Sequence, residues 1–542
     1  MNTEATRPAL ADHRRLSIVD CRLPAAAAAW WLWACLLPAA PLVAADPPPL
    51  PLRPPHPPTT APAAPAADGQ QAAGWPTPPP SVTRHSIQVA GRRLDYTATA
   101  GFLAVRDERG RAQANIFCVS YVLAGAGAAS RPVTFAYNGG PGAASLWVHL
   151  GAMGPKRAAL ADDGKAMPAA FALLDNDQTW LDFTDLVFLD PVGSGYSAPA
   201  DGVEPKTFWS VDGDARSMAA AVRLWLAQNN RWLSPLLLAG ESYGTVRSPA
   251  VAAELAERYG LAVRGLVQLS SAMDFQTISF ESANDLAYML FLPTYTAVAW
   301  YHHKLPPEMQ KDLPGALQRA ERLAVGEYAE ALSAGDELPA ERRRKLAGEL
   351  SALTGLPAEV VERNGLRVRR EVFAKELLRD SSRVVGILDG RIAGESIQPG
   401  FSFTEYDPTM TVMMAPFVTT LQDYLRTELR FRFDRPYVPL SRAANEAWQY
   451  GSARRGYLNV GPRLKRAMTK QPGLKVFAAA GWFDLTCGYF AQRYMYTHLG
   501  LAAPLRGNVA MHYYPSGHQI YTDLPSLKKL RADVAAFVAA LK

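Results

Sequence analysis

The chain has 542 residues, 49% of them hydrophobic and 20% charged. That supply of apolar side chain can bury a large core, in one big domain with an insertion or in two domains, and it excludes a disordered or fibrous protein. The formal charge of +6 is modest for this length, and basic residues are dispersed or set among acids, as in Glu341-Arg342-Arg343-Arg344-Lys345, so no nucleic-acid patch is expected.

Arg14, Arg15 and Arg22 precede an apolar stretch over residues 25–45, and Val43-Ala44-Ala45 before Asp46 has the small residues of a signal peptidase site. The expectation is export: residues 1–45 form a signal peptide cut after Ala45, and the mature protein is periplasmic or secreted. A retained anchor is the alternative, since about 20 apolar residues span a bilayer, although Pro38 and Pro41 favour cleavage. Leu32-Trp33-Ala34-Cys35 is a poor lipoprotein match, with bulky Trp33 where a small residue belongs. No membrane partner is expected beyond this segment. Residues 46–80 are dominated by Pro and Ala, favour extended polyproline conformations and read as a linker without chemistry. Of the cysteines at 21, 35, 118 and 487, cleavage leaves Cys118 and Cys487. Pairing in an oxidising compartment and two free thiols both stay open, and no zinc-like spacing occurs.

Residues 81–121 alternate apolar and polar side chains around Gly and Arg/Asp turns, the pattern of antiparallel strands with one wet face. A strand over 131–136 runs into Tyr137-Asn138-Gly139-Gly140-Pro141-Gly142, and a buried strand over 186–190 ends in Pro191-Val192-Gly193-Ser194-Gly195. Two apolar strands closing on Gly/Pro loops predict a parallel sheet with functional loops at the carboxyl ends of its strands. An amphipathic crossover helix over 212–228 leads to an apolar strand over 236–239, a helix over 245–259 and a strand over 265–270. From 274 to 441 helical periodicity and charged runs replace strand signals. Sheet and helix then alternate again: helix 459–468, strand 474–480, strand 508–514 and helix 524–541. The predicted class is α/β, a mostly parallel central sheet flanked by helices. Residues 81–273 and 442–542 form the two parts of the core, and 274–441 form a helical cap inserted between them.

Gly240-Glu241-Ser242-Tyr243-Gly244 fits the G-x-S-x-G nucleophile elbow, with a strand before it and a helix after it. A serine nucleophile needs a base to take its proton and an acid to orient that base. The late strands end in Gly481-Trp482-Phe483-Asp484 and Pro515-Ser516-Gly517-His518. Ser242, Asp484 and His518 thus follow the chain order Ser, Asp, His of α/β-hydrolases. Taken singly, the Asp reads as a turn residue and the His as a satisfied polar group; together, each at a strand end, they read as a triad. The amide of Tyr243, which follows the nucleophile, is one expected oxyanion donor, and the glycine-rich loop after Ala136 is the expected source of the second.

Asn138-Gly139-Gly140-Pro141-Gly142, Asp190-Pro191-Val192-Gly193-Ser194-Gly195-Tyr196-Ser197, Gly240-Glu241-Ser242-Tyr243-Gly244 and Gly517-His518 together resemble the signatures of the serine carboxypeptidase family, nearest to its bacterial exported members. The resemblance, over about residues 131–542, implies an α/β-hydrolase fold with a helical insertion, no metal or organic cofactor, and peptides as partners. It implies Ser242 as nucleophile, His518 as base, Asp484 as its orienter and Gly140 with Tyr243 as oxyanion amides. It assigns Asn138 and Glu241 to the free carboxylate of the peptide terminus. A carboxyl at Glu241 can bond a carboxylate only when one of the two is protonated, so peptidase action is expected to favour acidic pH. Plant and fungal members carry Trp before Asn and Cys-Ser-Ser after Pro-Gly; here Tyr137 and Ala143-Ala144-Ser145 stand there, which excludes a disulfide at that loop. An esterase or acyltransferase on the same scaffold is the nearest alternative, and a non-catalytic binding protein a more distant one.

Overall fold

A computed structural model describes residues 76–541, apart from 126, 128, 129 and 452–455. The expected signal segment and almost all of the linker lie outside these residues. Strands β1 (Ser81–Val89), β2 (Arg92–Arg106) and β3 (Ala112–Leu123) form an antiparallel meander. Five parallel pairings follow among β4 (Val133–Tyr137), β5 (Asp185–Leu189), β6 (Leu236–Glu241), β7 (Val263–Leu269), β8 (Lys475–Gly481) and β9 (Val509–Tyr514). The order across the sheet is β1-β2-β3-β5-β4-β6-β7-β8-β9, with Ala198–Pro199 pairing on β3. The nucleophile strand β6 is therefore central, and the strand that leads to His518 is an edge.

Both faces of the parallel strands are covered, which is why their sequences read as continuous apolar runs. In β6, Leu236 and Leu238 enter one core and Leu237 and Ala239 the other, as the two-residue period of a strand requires. One face packs against α1 (Val211–Gln228), through Met218, Val222 and Trp225, and α2 (Gly244–Tyr259), through Val246, Ala250 and Leu255. Ser210 caps α1 by accepting from the Gly213 amide at 3.0 Å, a contact of the kind worth about 1 kcal/mol.

The stretch 274–441 holds more than a helical cap. Its first helix, α3 (Asp285–Tyr301), joins a separate core with helices Leu313–Val325 and Ala340–Thr354. A small antiparallel hairpin, Arg383–Val385 with Ala393–Glu395, lies within it. Its last helix, α4 (Pro408–Thr427), packs Phe417, Leu421 and Tyr424 into the second core under the sheet. That face is shared with the last helix, which follows α5 (Gly461–Lys470) and α6 (Tyr489–Thr497): α7 (Leu524–Ala539) contributes Leu527, Leu530 and Val534. The polar–apolar pattern of α4 shows that it is amphipathic but not which body it covers. Cys118 and Cys487 are buried free thiols, one in a strand and one in the loop after β8.

Candidate active site

The loops at the carboxyl ends of β4, β6, β8 and β9 meet above the sheet. Ser242 follows β6 directly and has φ 58°, in the left-handed region where only a short polar side chain or glycine sits without large strain. Its amide donates to Leu269 O at 2.9 Å, and its carbonyl accepts from the Thr245 hydroxyl at 2.6 Å, so the turn is fixed from both sides. A Cβ at Gly240 would stand 2.2 Å from Gly244 O, which explains glycine before the elbow. Ser242 is half-buried while its neighbours Glu241 and Tyr243 are buried, so the hydroxyl is the group presented.

His518 and Asp484 come together from β9 and β8. Nδ1 of His518 lies 2.8 Å from Asp484 Oδ2, and both residues are buried. The other oxygen, Asp484 Oδ1, accepts from the amides of Thr486 and Cys487 at 2.8 and 2.9 Å, which keeps the carboxylate aimed at the ring. The His518 carbonyl accepts from the Ser270 hydroxyl at 2.6 Å. Burial opposes charge on His518, but the facing Asp484 carboxylate overrides it and holds the imidazole well above its ordinary range. The buried Cys487 thiol lies against the same ring; Asp484, Cys487 and His518 offer ligand atoms within 4.8 Å of one another, and a cation there would compete with His518 for its carboxylate.

The glycine-rich loop lies against the elbow. A Cβ on Gly139 would fall 2.3 Å from the Tyr243 amide nitrogen, so only glycine lets this loop approach that amide, and the next residue, Gly140, is exposed. Asp190 at the end of β5 secures the far end of the loop: its Oδ1 accepts from both the amide and hydroxyl of Ser145 at 2.8 Å. Beneath it, Arg247 donates to Asn138 O at 2.6 Å, pairs with Asp214 at 2.7 Å and lies between the rings of Tyr137 and Tyr243.

Asn138 and Glu241 meet next to the Ser242 turn, where Asn138 Nδ2 donates to Glu241 Oε1 at 2.7 Å and Asn138 Oδ1 accepts from the Val148 amide at 3.1 Å. Glu241 Oε2 is buried and without a hydrogen-bond partner. Burial pushes the Glu241 carboxyl up to about 7, against the stabilising effects of His518, Tyr521 and Asn138 on its charge. The Tyr521 hydroxyl, three residues beyond His518, faces Glu241 and Asn138 without reaching hydrogen-bond geometry. Nothing in the sequence marks Tyr521 or Arg247, because their partners are far apart along the chain. All seven residues expected at the site are thus gathered at one end of the sheet.

The fold is that of the α/β-hydrolases, with the paired His518 and Asp484 at the same end of the sheet as the Ser242 turn. Residues 90–277, which include the glycine-rich loop after β4 and Ser242, match the serine carboxypeptidase family model. Comparison with curated protein sequences gives no match. Among solved structures the chain is similar to Kex1(Δ)p, a prohormone-processing carboxypeptidase from Saccharomyces cerevisiae, at 15% identity and a TM-score of 0.52, over 82% of this chain and 91% of that one. An esterase from Thermogutta terrifontis matches at 12% identity and a TM-score of 0.32, over 82% of this chain and 98% of the other. Proline iminopeptidase from Mycobacterium smegmatis matches at 13% and 0.30, over 85% and 98%. At 15% identity the likeness to Kex1(Δ)p is one of fold. The family match is confined to residues 90–277, the segment that holds Asn138, Gly140, Glu241, Ser242 and Tyr243.

Proposed function

We propose that the protein removes C-terminal residues from peptides through an acyl-enzyme on Ser242. His518 takes the Ser242 proton as Oγ bonds to the carbonyl carbon of the last peptide bond. The carbonyl oxygen becomes an oxyanion, held by the amides of Gly140 and Tyr243. On collapse the C–N bond breaks, His518 returns the proton to the departing amine, and the terminal residue leaves. Water, deprotonated by His518, then cleaves the ester and restores Ser242.

The observation that carries this reading is the Asn138–Glu241 pair beside the triad, with Oε2 of Glu241 buried and unpartnered. A triad and oxyanion hole serve esters equally well, but a protonated carboxyl beside an amide fits a substrate carboxylate. Below about 7 Glu241 holds its proton and donates; above it the carboxylate repels the peptide terminus. His518 acts in the opposite sense, since the base works only when neutral. Binding therefore weakens as pH rises, whereas turnover weakens as pH falls.

The test compares peptides with free and amidated C-termini. Preference for the free acid, lost in Asn138→Ala, supports the reading; equal cleavage of both sets by wild type refutes it. Residues 1–45 support a further proposal of export by way of a signal peptide to the periplasm or medium, like the family's bacterial exported members, with peptides there as substrates. Amino-terminal sequencing of the protein recovered outside the cytoplasm should begin at Asp46; an intact amino terminus on it would contradict cleavage.

A further inference from the structure

Asp484 and His518 stand on loops at the last two strands of the sheet, and β9 is an edge, so the sheet flanks the histidine loop on one side only. From the other side comes a strap of the insertion, residues 386–391. Its Leu388 carbonyl accepts from the His518 amide at 2.6 Å, and its Gly390 amide donates to Phe483 O at 2.9 Å, next to Asp484. The strap is itself anchored on the start of α4, where Asp407 accepts from the Leu388 amide at 3.0 Å and Thr409 from the Asp389 amide at 3.1 Å.

Arg391 closes this arrangement. It is 7% exposed, and its guanidinium reaches Asp389 at 2.7 Å, Pro515 O at 2.9 Å, Ser516 Oγ at 3.1 Å and Asp523 Oδ1 at 3.3 Å, while lying 5.6 Å from the centre of the Phe483 ring. Pro515 and Ser516 lead into His518, Phe483 leads into Asp484, and Asp523 caps α7 by accepting from the Ser526 amide at 2.9 Å. One planar fork thus touches the acid loop, the base loop and the helix after them, and it is carried by neither catalytic strand. A buried ion pair has little net value for stability compared with apolar packing. A rigid fork with several fixed acceptors does confer orientation, which a lysine cannot copy.

We propose that Arg391 is a positioning residue, a buckle by which the insertion sets the separation and orientation of Asp484 and His518. The proposal rests on the reading of those two residues as the acid and base of the triad. It gives the insertion a part in the chemical step itself, beyond covering the sheet.

The test measures kcat and KM for an activated ester and a peptide in wild type, Arg391→Lys, Arg391→Ala and Ser516→Ala, with competent sites counted by fluorophosphonate titration. Because a misplacement of about 1 Å costs on the order of 10²-fold in rate, Arg391→Lys should lower kcat per titrated site by about 10- to 100-fold for both substrates, with KM within about threefold. Ser516→Ala, which removes one acceptor and little else, should cause a smaller fall in the same direction. Millimolar guanidinium should restore part of the kcat of Arg391→Ala, where an equal concentration of urea should not. If Arg391→Ala does not fold, the other two variants decide. Wild-type kcat per titrated site in both would overturn the proposal, as would a change confined to KM. Asp484→Asn is measured alongside: should it keep wild-type kcat, the triad reading falls, and that failure is distinct from unchanged Arg391 and Ser516 variants beside an inactive Asp484→Asn.

Discussion

Replacing Glu241 by glutamine removes one titratable group from the site and keeps a hydrogen-bond donor of the same shape. In the wild type, burial raises this carboxyl to about 7. The sign follows directly: the raised acid is protonated and donating below about 7, and ionised and repelling above it. If only the protonated form holds a peptide terminus, KM should rise about tenfold for each pH unit above about 7. Between about pH 6 and pH 8 the expected loss is therefore about tenfold, or roughly 1.4 kcal/mol of binding. In Glu241→Gln the amide donates at every pH, so KM should stay flat over that range. The assay is steady-state hydrolysis of one peptide with a free C-terminus at a series of pH values, with an ester lacking a carboxylate as control. Reading KM apart from kcat matters, because the His518 titration appears in kcat for both proteins. A Glu241→Gln profile whose KM rises in parallel with wild type would refute the assignment of Glu241 to the carboxylate.

Asp484→Asn should lower kcat on the order of 10⁴-fold with little change in KM, since His518 loses the partner that fixes its tautomer; stopped-flow acylation with an activated ester measures this. Gly139→Ala should destabilise the fold by about 1–3 kcal/mol and cut kcat by about 10² or more, because the new Cβ meets the Tyr243 amide at 2.3 Å; thermal melting and kcat check the two effects. Asp214→Ala should cost about 3–5 kcal/mol in urea denaturation, since it leaves the fully buried Arg247 guanidinium, paired at 2.7 Å, without its counter-charge.

The parallel sheet could be read in advance because its strands are mostly apolar runs of strand length, several closing on Gly or Pro, and because three of those ends carry Ser242, Asp484 and His518. Local chemistry is strong there: Gly240 and Gly139 are dictated by close backbone approach, and a short motif records that need. The destination of α4 was not legible, since an amphipathic helix shows which face is apolar and not whether the partner is the cap or the sheet. The Arg391 strap left no trace either. Its acceptors at Pro515 and Ser516 lie 124 and 125 positions away, and Asp389-Gly390-Arg391 has the appearance of a solvated turn. Tyr521 is similar: its hydroxyl matters through Glu241 and Asn138, which belong to other loops.

The central claim is Ser242-dependent exopeptidase action, and one measurement addresses it most directly. A mixed pool of peptides, half with free and half with amidated C-termini, is incubated with wild type and with Ser242→Ala and read by mass spectrometry. The account predicts loss of terminal residues from the free-acid peptides with wild type alone. Cleavage that persists in Ser242→Ala, or no terminal trimming by wild type, would contradict it.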